Sequence, residues 1–173
     1  MPAGLRKAVL VAHITASVGW MGSVAAFFAL AVAGLADGPP ATVSALYVAM
    51  EPITWTVIVP LAFAALLTGL TSALASPWGL MRHWWVLFKL LLTAASTAVL
   101  MIHTQPIDRM AALAVLGPVP ADELRTQVQL AVASGAALLV LAVVTVLSVY
   151  KPKGAINYRR PLRPGTGNAA RTP

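Results

Sequence analysis

Polar residues are so sparse along this chain that the apolar stretches between them define its elements. Four runs, roughly 8–35, 53–75, 85–103 and 126–150, carry almost no charge. Each meets or exceeds the ~18 residues at which a membrane-spanning helix becomes the first reading. The first run is longer than a signal-peptide core of ~7–15 residues, so it too reads as a span. The punctuation then sets the expected boundaries. Helix one covers about 5–35 and ends in "GLADGPP", a Gly/Pro turn. Helix two covers about 43–75, with Pro52 and Pro60 inside a rod whose neighbours can accommodate the freed carbonyls. Helix three is expected at about 84–105 and helix four at about 122–150, where Asp122 and Glu123 suit a helix N-terminus. Between these two, about 105–122, lie Pro106, Pro118 and Pro120, and the amphipathic piece "IDRMAALAVLG" is expected to rest on the membrane surface. The pattern predicts an all-α integral membrane four-helix bundle running up-down-up-down over residues 1–150.

Composition agrees with that class. Of 173 residues, 59% are hydrophobic and 10% charged, where a soluble domain carries about 25% charged residues. The mean hydropathy is +0.82. The net charge of +7 changes the picture only through its distribution. Arg6, Lys7, Arg82 and the tail cations Lys151, Lys153, Arg159, Arg160, Arg163 and Arg171 share one side of the bundle. All five acids fall on the other side or at its boundary. The positive-inside rule then predicts a plasma-membrane protein with both termini cytoplasmic. The basic balance reports topology and attraction to anionic lipid rather than nucleic acid. Residues 151–173, basic and rich in Pro and Gly, read as a disordered cytoplasmic tail. The chain has no cysteine, so disulfides, thiolate metal sites and thiol redox chemistry are excluded.

Ionisable residues inside lipid are costly, and they mark candidate sites by default. His13 stands roughly 9 Å past the basic entry of helix one, and Lys89 roughly 7–8 Å past the tryptophans that open helix three. Helices one and three run parallel, so the two side chains are expected at one depth. His103 follows Lys89 on nearly the same face, about 21 Å further along, with Thr93, Ser96 and Leu100 between them. Helix one offers His13, Ser17, Trp20 and Val24, with Gly19 and Gly22 leaving room for close contact or a flat ligand. Helix four offers Ser134, Leu138, Leu141, Thr145 and Ser148. Blander readings stand beside these. They make His13 a packing residue, Lys89 a snorkelling cation, His103 and His83 interfacial residues, and Trp78, Trp84 and Trp85 a membrane anchor.

A neutral imidazole is a strong axial ligand for haem iron, and bundle cores commonly hold such cofactors. The residues therefore suggest haem b, with His13 as ligand and Lys89 with Arg82 as charge partners of the propionates. His83 is the nearest second imidazole by depth. His103 stands too far away for the same ring and could serve a second site near the outer surface. Two classes compete with this reading. One is copper transport or resistance, using methionines such as Met21, Met50, Met81, Met101 and Met110 with His103. The other is a cofactor-free structural or assembly subunit, in which the polar stripes are helix glue at about 0.6 kcal/mol per bond. No Gly-rich phosphate loop, H-E-x-x-H motif or buried carboxylate within a helix span supports nucleotide binding or zinc hydrolysis.

Several residues also carry a resemblance. His13, Trp20 and Gly22 in helix one, Pro60, "LLTGL" with Thr68 and Gly69, "PWG" at 77–79, "RHWW" at 82–85 and "KL" at 89–90 resemble a haem-binding four-helix membrane superfamily. It includes the bacterial membrane protoporphyrinogen oxidases and the copper-resistance D-type proteins, and the run "RHWWVLFKLLLT…HTQP" is most similar to actinobacterial integral membrane proteins. The likeness covers about residues 8–105 and rests mostly on single residues. It implies a haem b ligand at His13, an essential lysine at Lys89, and oxidoreductase or electron-transfer work with a porphyrin, a quinone or another membrane protein. Homo-oligomers are compatible with it. The chain departs from the oxidases in carrying His83 and His103, and in lacking their aromatic, arginine-ended continuation of helix one.

Overall fold

A computed structural model describes residues 2–36, 38–74 and 84–150. Helix α1 spans Ala3–Leu35, α2 Pro40–Ile53, α3 Val59–Leu74, α4 Trp84–Leu116 and α5 Leu124–Tyr150. A π-helical turn, Thr54–Ile58, joins α2 to α3 without a break, and a 3₁₀ turn, Ala121–Glu123, leads into α5. The described residues contain no strand. Four rods are long and apolar enough to cross a membrane: Ala3–Leu35, Pro40–Leu74, Val86–Leu116 and Ala121–Ser148. The chain is thus an all-α four-helix bundle of the multi-pass membrane type. Rod α1 packs on the α2–α3 rod and on α5, α4 packs on the same two neighbours, and α1 and α4 stand on the diagonal.

The π turn has a local cause. Pro60 has no N–H for the carbonyl one helical turn back, and its ring crowds that turn. The helix widens, and the Val59 N–H bonds the Thr54 carbonyl five residues behind it. The hydroxyl of Thr54 donates to the Met50 carbonyl at 2.8 Å, and that of Thr56 to Pro52 at 2.6 Å. The second proline, Pro52, is thereby held inside a continuous rod.

One expectation from the pattern fails. The third helix does not stop at about 105; α4 continues through Pro106 to Leu116. The piece expected on the membrane surface is packed instead. Thr104, Ile107, Met110, Ala111 and Ala114 are buried, and α4 packs extensively on α2, which contributes buried Ser44, Tyr47 and Met50. Proline removes one backbone bond, whereas this face buries five side chains. The helix stops where Gly117 takes φ +155°, a backbone that L side chains rarely adopt. The Ser44 hydroxyl caps that turn by donating to the Gly117 carbonyl at 2.9 Å. Other polar ties hold the same end. Trp55 Nε1 donates to Asp108 at 2.9 Å, and Glu123 accepts from Arg109 and, at 2.8 Å, from Thr126.

The opposite end is different. Beyond Ala16, Ala65, Thr97 and Leu141, towards the end that carries His13 and Lys89, no residue of the four rods whose exposure is described is buried. The bundle is clamped and tightly packed at its acidic end, and loosens at the end that carries His13 and Lys89.

Tight packing is most exposed to test at Gly34. A Cβ there would lie 2.7 Å from Tyr47 Oη and 2.8 Å from Cζ, and Tyr47 is fully buried. Gly34→Ala should destabilise the bundle by about 1–3 kcal/mol through overpacking, read as a lower denaturant midpoint in detergent. Gly22→Ala, where nothing lies within 4 Å of the added carbon, should leave it unchanged.

Candidate functional site

Two sites emerge, at different depths. The first lies in the loosened end. His13 on α1 is half-buried, and its ring is seated on α3. A Cβ on Gly69 would come within 2.9 Å of His13 Cε1, so the glycine is the notch that admits the imidazole. His13 Nδ1 lies 3.0 Å from the Ala65 carbonyl and 3.2 Å from Thr68 Oγ1. The Thr68 hydroxyl proton is already given to the Ala64 carbonyl at 2.5 Å. Both neighbours of Nδ1 are therefore acceptors, and Nδ1 must carry the ring proton. In the neutral ring the lone pair is then on Nε2, which has no hydrogen bond among the described residues. Metal-ligating histidines are typically prepared in this way, with the far nitrogen donating to a backbone carbonyl.

Lys89 stands on α4, the rod diagonal to α1. Its Nζ donates to Ser148 Oγ on α5 at 3.0 Å, and Thr93, one turn further in, bonds back to the Lys89 carbonyl. The Lys89–Ser148 bond is solvent- or lipid-exposed rather than enclosed. Arg82 and His83, expected beside them, lie outside the described residues, as do Met81, Trp78 and the tail from 151.

The second site is a cavity of about 70 Å³ at the centre of the bundle, nearer the clamped end. Trp20 from α1, Thr54 and Ile58 from the π turn, His103 from α4 and Ser134 from α5 line it. His103 and Trp20 therefore belong to a site separate from His13. His103 is no helix-end residue, since α4 continues to Leu116. Its Nδ1 lies 2.9 Å from the Val99 carbonyl one turn back. By the same reasoning Nδ1 donates and Nε2 keeps the lone pair. The acid Glu51 is exposed and has no bond to His103 among the described residues. A cavity of this size is well below the ~300–1,000 Å³ of a pocket for a drug-sized ligand, so a porphyrin on His103 would require the helices to part. Among the described residues, no three His, Asp or Glu side chains come together as a metal-binding group.

The spacing reading found His13, Lys89, Trp20, His103, Ser134 and Ser148. It missed Thr54, because a π turn between two prolines shifts which residues face inward, and the pattern assumes a uniform period. It also missed the Ala65 carbonyl, a backbone acceptor that no side-chain motif can announce. Compared with known proteins, the chain matches no family model, no curated protein and no solved structure.

Gly69→Ala should push the His13 ring off its seat. Nitrogen-15 NMR of histidine-labelled protein should show His13 as the Nδ1–H tautomer in the parent chain, with that signature lost in the variant. An unchanged tautomer would mean that the notch does not position the ring.

Proposed function

We propose that this chain is a haem b-binding membrane protein in which His13 Nε2 is an axial ligand, exchanging electrons with a membrane partner. The observation that supports it most is the His13 ring itself. Nδ1 is committed to the Ala65 carbonyl, and Nε2 is left as an unprotonated donor inside an apolar bundle. The donor set fits an iron porphyrin. A backbone carbonyl on the far nitrogen raises the basicity of the ligand and fixes the ring plane. Lys89 is a charge partner for a propionate. Thr93 and Ser148 offer hydroxyl oxygens beside it, and Ser148 orients the ammonium. The unburied inner thirds of the four rods allow a flat ligand to enter without breaking a packed core. Arg82 and His83, just before α4, are the further cation and imidazole of this reading.

Bound there, the iron would supply one-electron exchange, and its potential would be tuned by ligand identity, hydrogen bonding and burial. The chain's own part is to hold the ring, neutralise its acidic edge and keep bulk water from its face. Quinone and porphyrin are the membrane-soluble redox partners that suit an oxidoreductase of this kind. The distribution of cations along the chain supports a plasma-membrane protein with both termini in the cytoplasm.

Protein purified in mild detergent from haem-replete cells should show a Soret band and a reduced-minus-oxidised spectrum typical of haem b. His13→Ala should abolish both. Lys89→Met should lower haem occupancy by about 10–100-fold, the usual cost of losing an outer-shell partner, without removing the axial ligation. A colourless parent protein, or a His13→Ala variant with its full spectrum, would overturn the proposal.

A further inference from the structure

The central cavity lies where the bundle is tightly packed. Trp20, Val24, Phe27, Ile58, Ile107 and Leu130 line it, and each of them is buried. A void among such side chains differs from the looseness of the opposite end, because close-packed interiors keep few spaces larger than a water molecule. Ala133 and Ala137 of α5 also border it, each contributing a single methyl group to the wall.

The chemistry of the lining is almost wholly apolar. No Lys, Arg, Asp or Glu borders the cavity. The polar residues around it, Thr54, Ser134 and His103, are each bonded to a carbonyl of their own helix, at Met50, Leu130 and Val99 respectively. A trapped water needs several polar partners, and apolar cavities stay dry. They take apolar guests instead: an engineered cavity of about 150 Å³ binds benzene or xenon. At about 70 Å³ this one has roughly half that room, enough for a guest of about three heavy atoms. Val99 lines the cavity and is also 50% exposed, so one side chain belongs both to the cavity wall and to the outer surface of a membrane-spanning rod. Apolar solutes concentrate in hydrocarbon rather than in water, and the acyl chains around α4 are then the supply of the guest.

We infer that this cavity is a binding site for a small apolar gas of the dioxygen class. Size excludes a lipid tail or an aromatic ring. A polar molecule small enough to enter, water included, gives up its hydrogen bonds on doing so. Dioxygen and xenon have no hydrogen bonds to lose, and gain contact with the buried side chains of all four rods. The site is separate from His13, so the inference does not rest on the haem reading and can be tested on haem-free protein.

The test uses the full chain in nanodiscs, with carbon-13 in the methyl groups of isoleucine and leucine. Under dioxygen, a paramagnetic gas, the methyls of Ile58, Ile107 and Leu130 should relax faster than those of Ile102 and Leu139, which are exposed on the rods. Xenon, a diamagnetic guest of such cavities, should shift the same buried methyls saturably and displace the dioxygen effect there. Ala137→Leu fills the space with its own side chain, and should abolish both effects at the buried methyls while leaving Ile102 and Leu139 as they were. Should that variant misfold, Ala133→Val is the smaller filling and should weaken the xenon shift. Dioxygen relaxation no greater than at Ile102 and Leu139, a xenon shift that grows without saturating, a water cross-peak to the buried methyls, or effects that survive the filling would overturn the inference.

Discussion

In hydrocarbon there is no water to satisfy a polar group, and each one left unpaired costs several kcal/mol. That constraint organises this molecule. Nearly every hydroxyl on its rods donates back to a carbonyl of its own helix: Thr54 to Met50, Thr68 to Ala64, Thr93 to Lys89, Thr97 to Thr93, Ser134 to Leu130, Thr145 to Leu141 and Ser148 to Val144. The same need fixes both described histidines with Nδ1 on a carbonyl. Once protons are spent inward on the backbone, what the side chains present to one another and to any ligand is lone pairs. Among the described residues the polar side chains of the rods are thus largely satisfied by backbone carbonyls, and the Nε2 lone pairs of His13 and His103 are left over. The exception is Tyr47 Oη, fully buried without a partner under Gly34, where close packing overrides the rule locally.

The two ends of the bundle serve different purposes. At the acidic end, Ser44 to Gly117, Trp55 to Asp108 and the Arg109–Glu123–Thr126 group tie neighbouring rods together. The buried side chains of α1, α2 and α4 concentrate there. Towards the basic end, no residue past Ala16, Ala65, Thr97 and Leu141 whose exposure is described is buried, and the inter-rod bonds there include those of His13 with α3 and of Lys89 with Ser148. His13 and Lys89 sit at the end where fewer side chains are buried. Loosely packed regions are where ligand-binding elements are generally found.

The residues of the resemblance acquire a physical meaning in this light. Thr68 and Gly69 of "LLTGL" are the seat of the His13 ring, one as a hydrogen-bond acceptor and the other as the space the imidazole fills. Trp20, in the same helix-one pattern, serves instead as a wall of the central cavity. Residues that looked like one constellation along the chain divide between two depths.

The count of spans, their approximate positions and the all-α class were determined by the sequence, because twenty-odd uncharged apolar residues in lipid have helix as their only economical backbone. Only the tertiary structure decided that α4 runs through Pro106, because the gain comes from a face buried on α2 that no local signal reports. It alone also separated His103 from His13, placed Thr54 on a cavity by way of a π turn, and chose the ring nitrogen that holds the proton. Each of those depends on which atom of another rod stands opposite, and distance between rods is the one quantity a linear pattern does not contain.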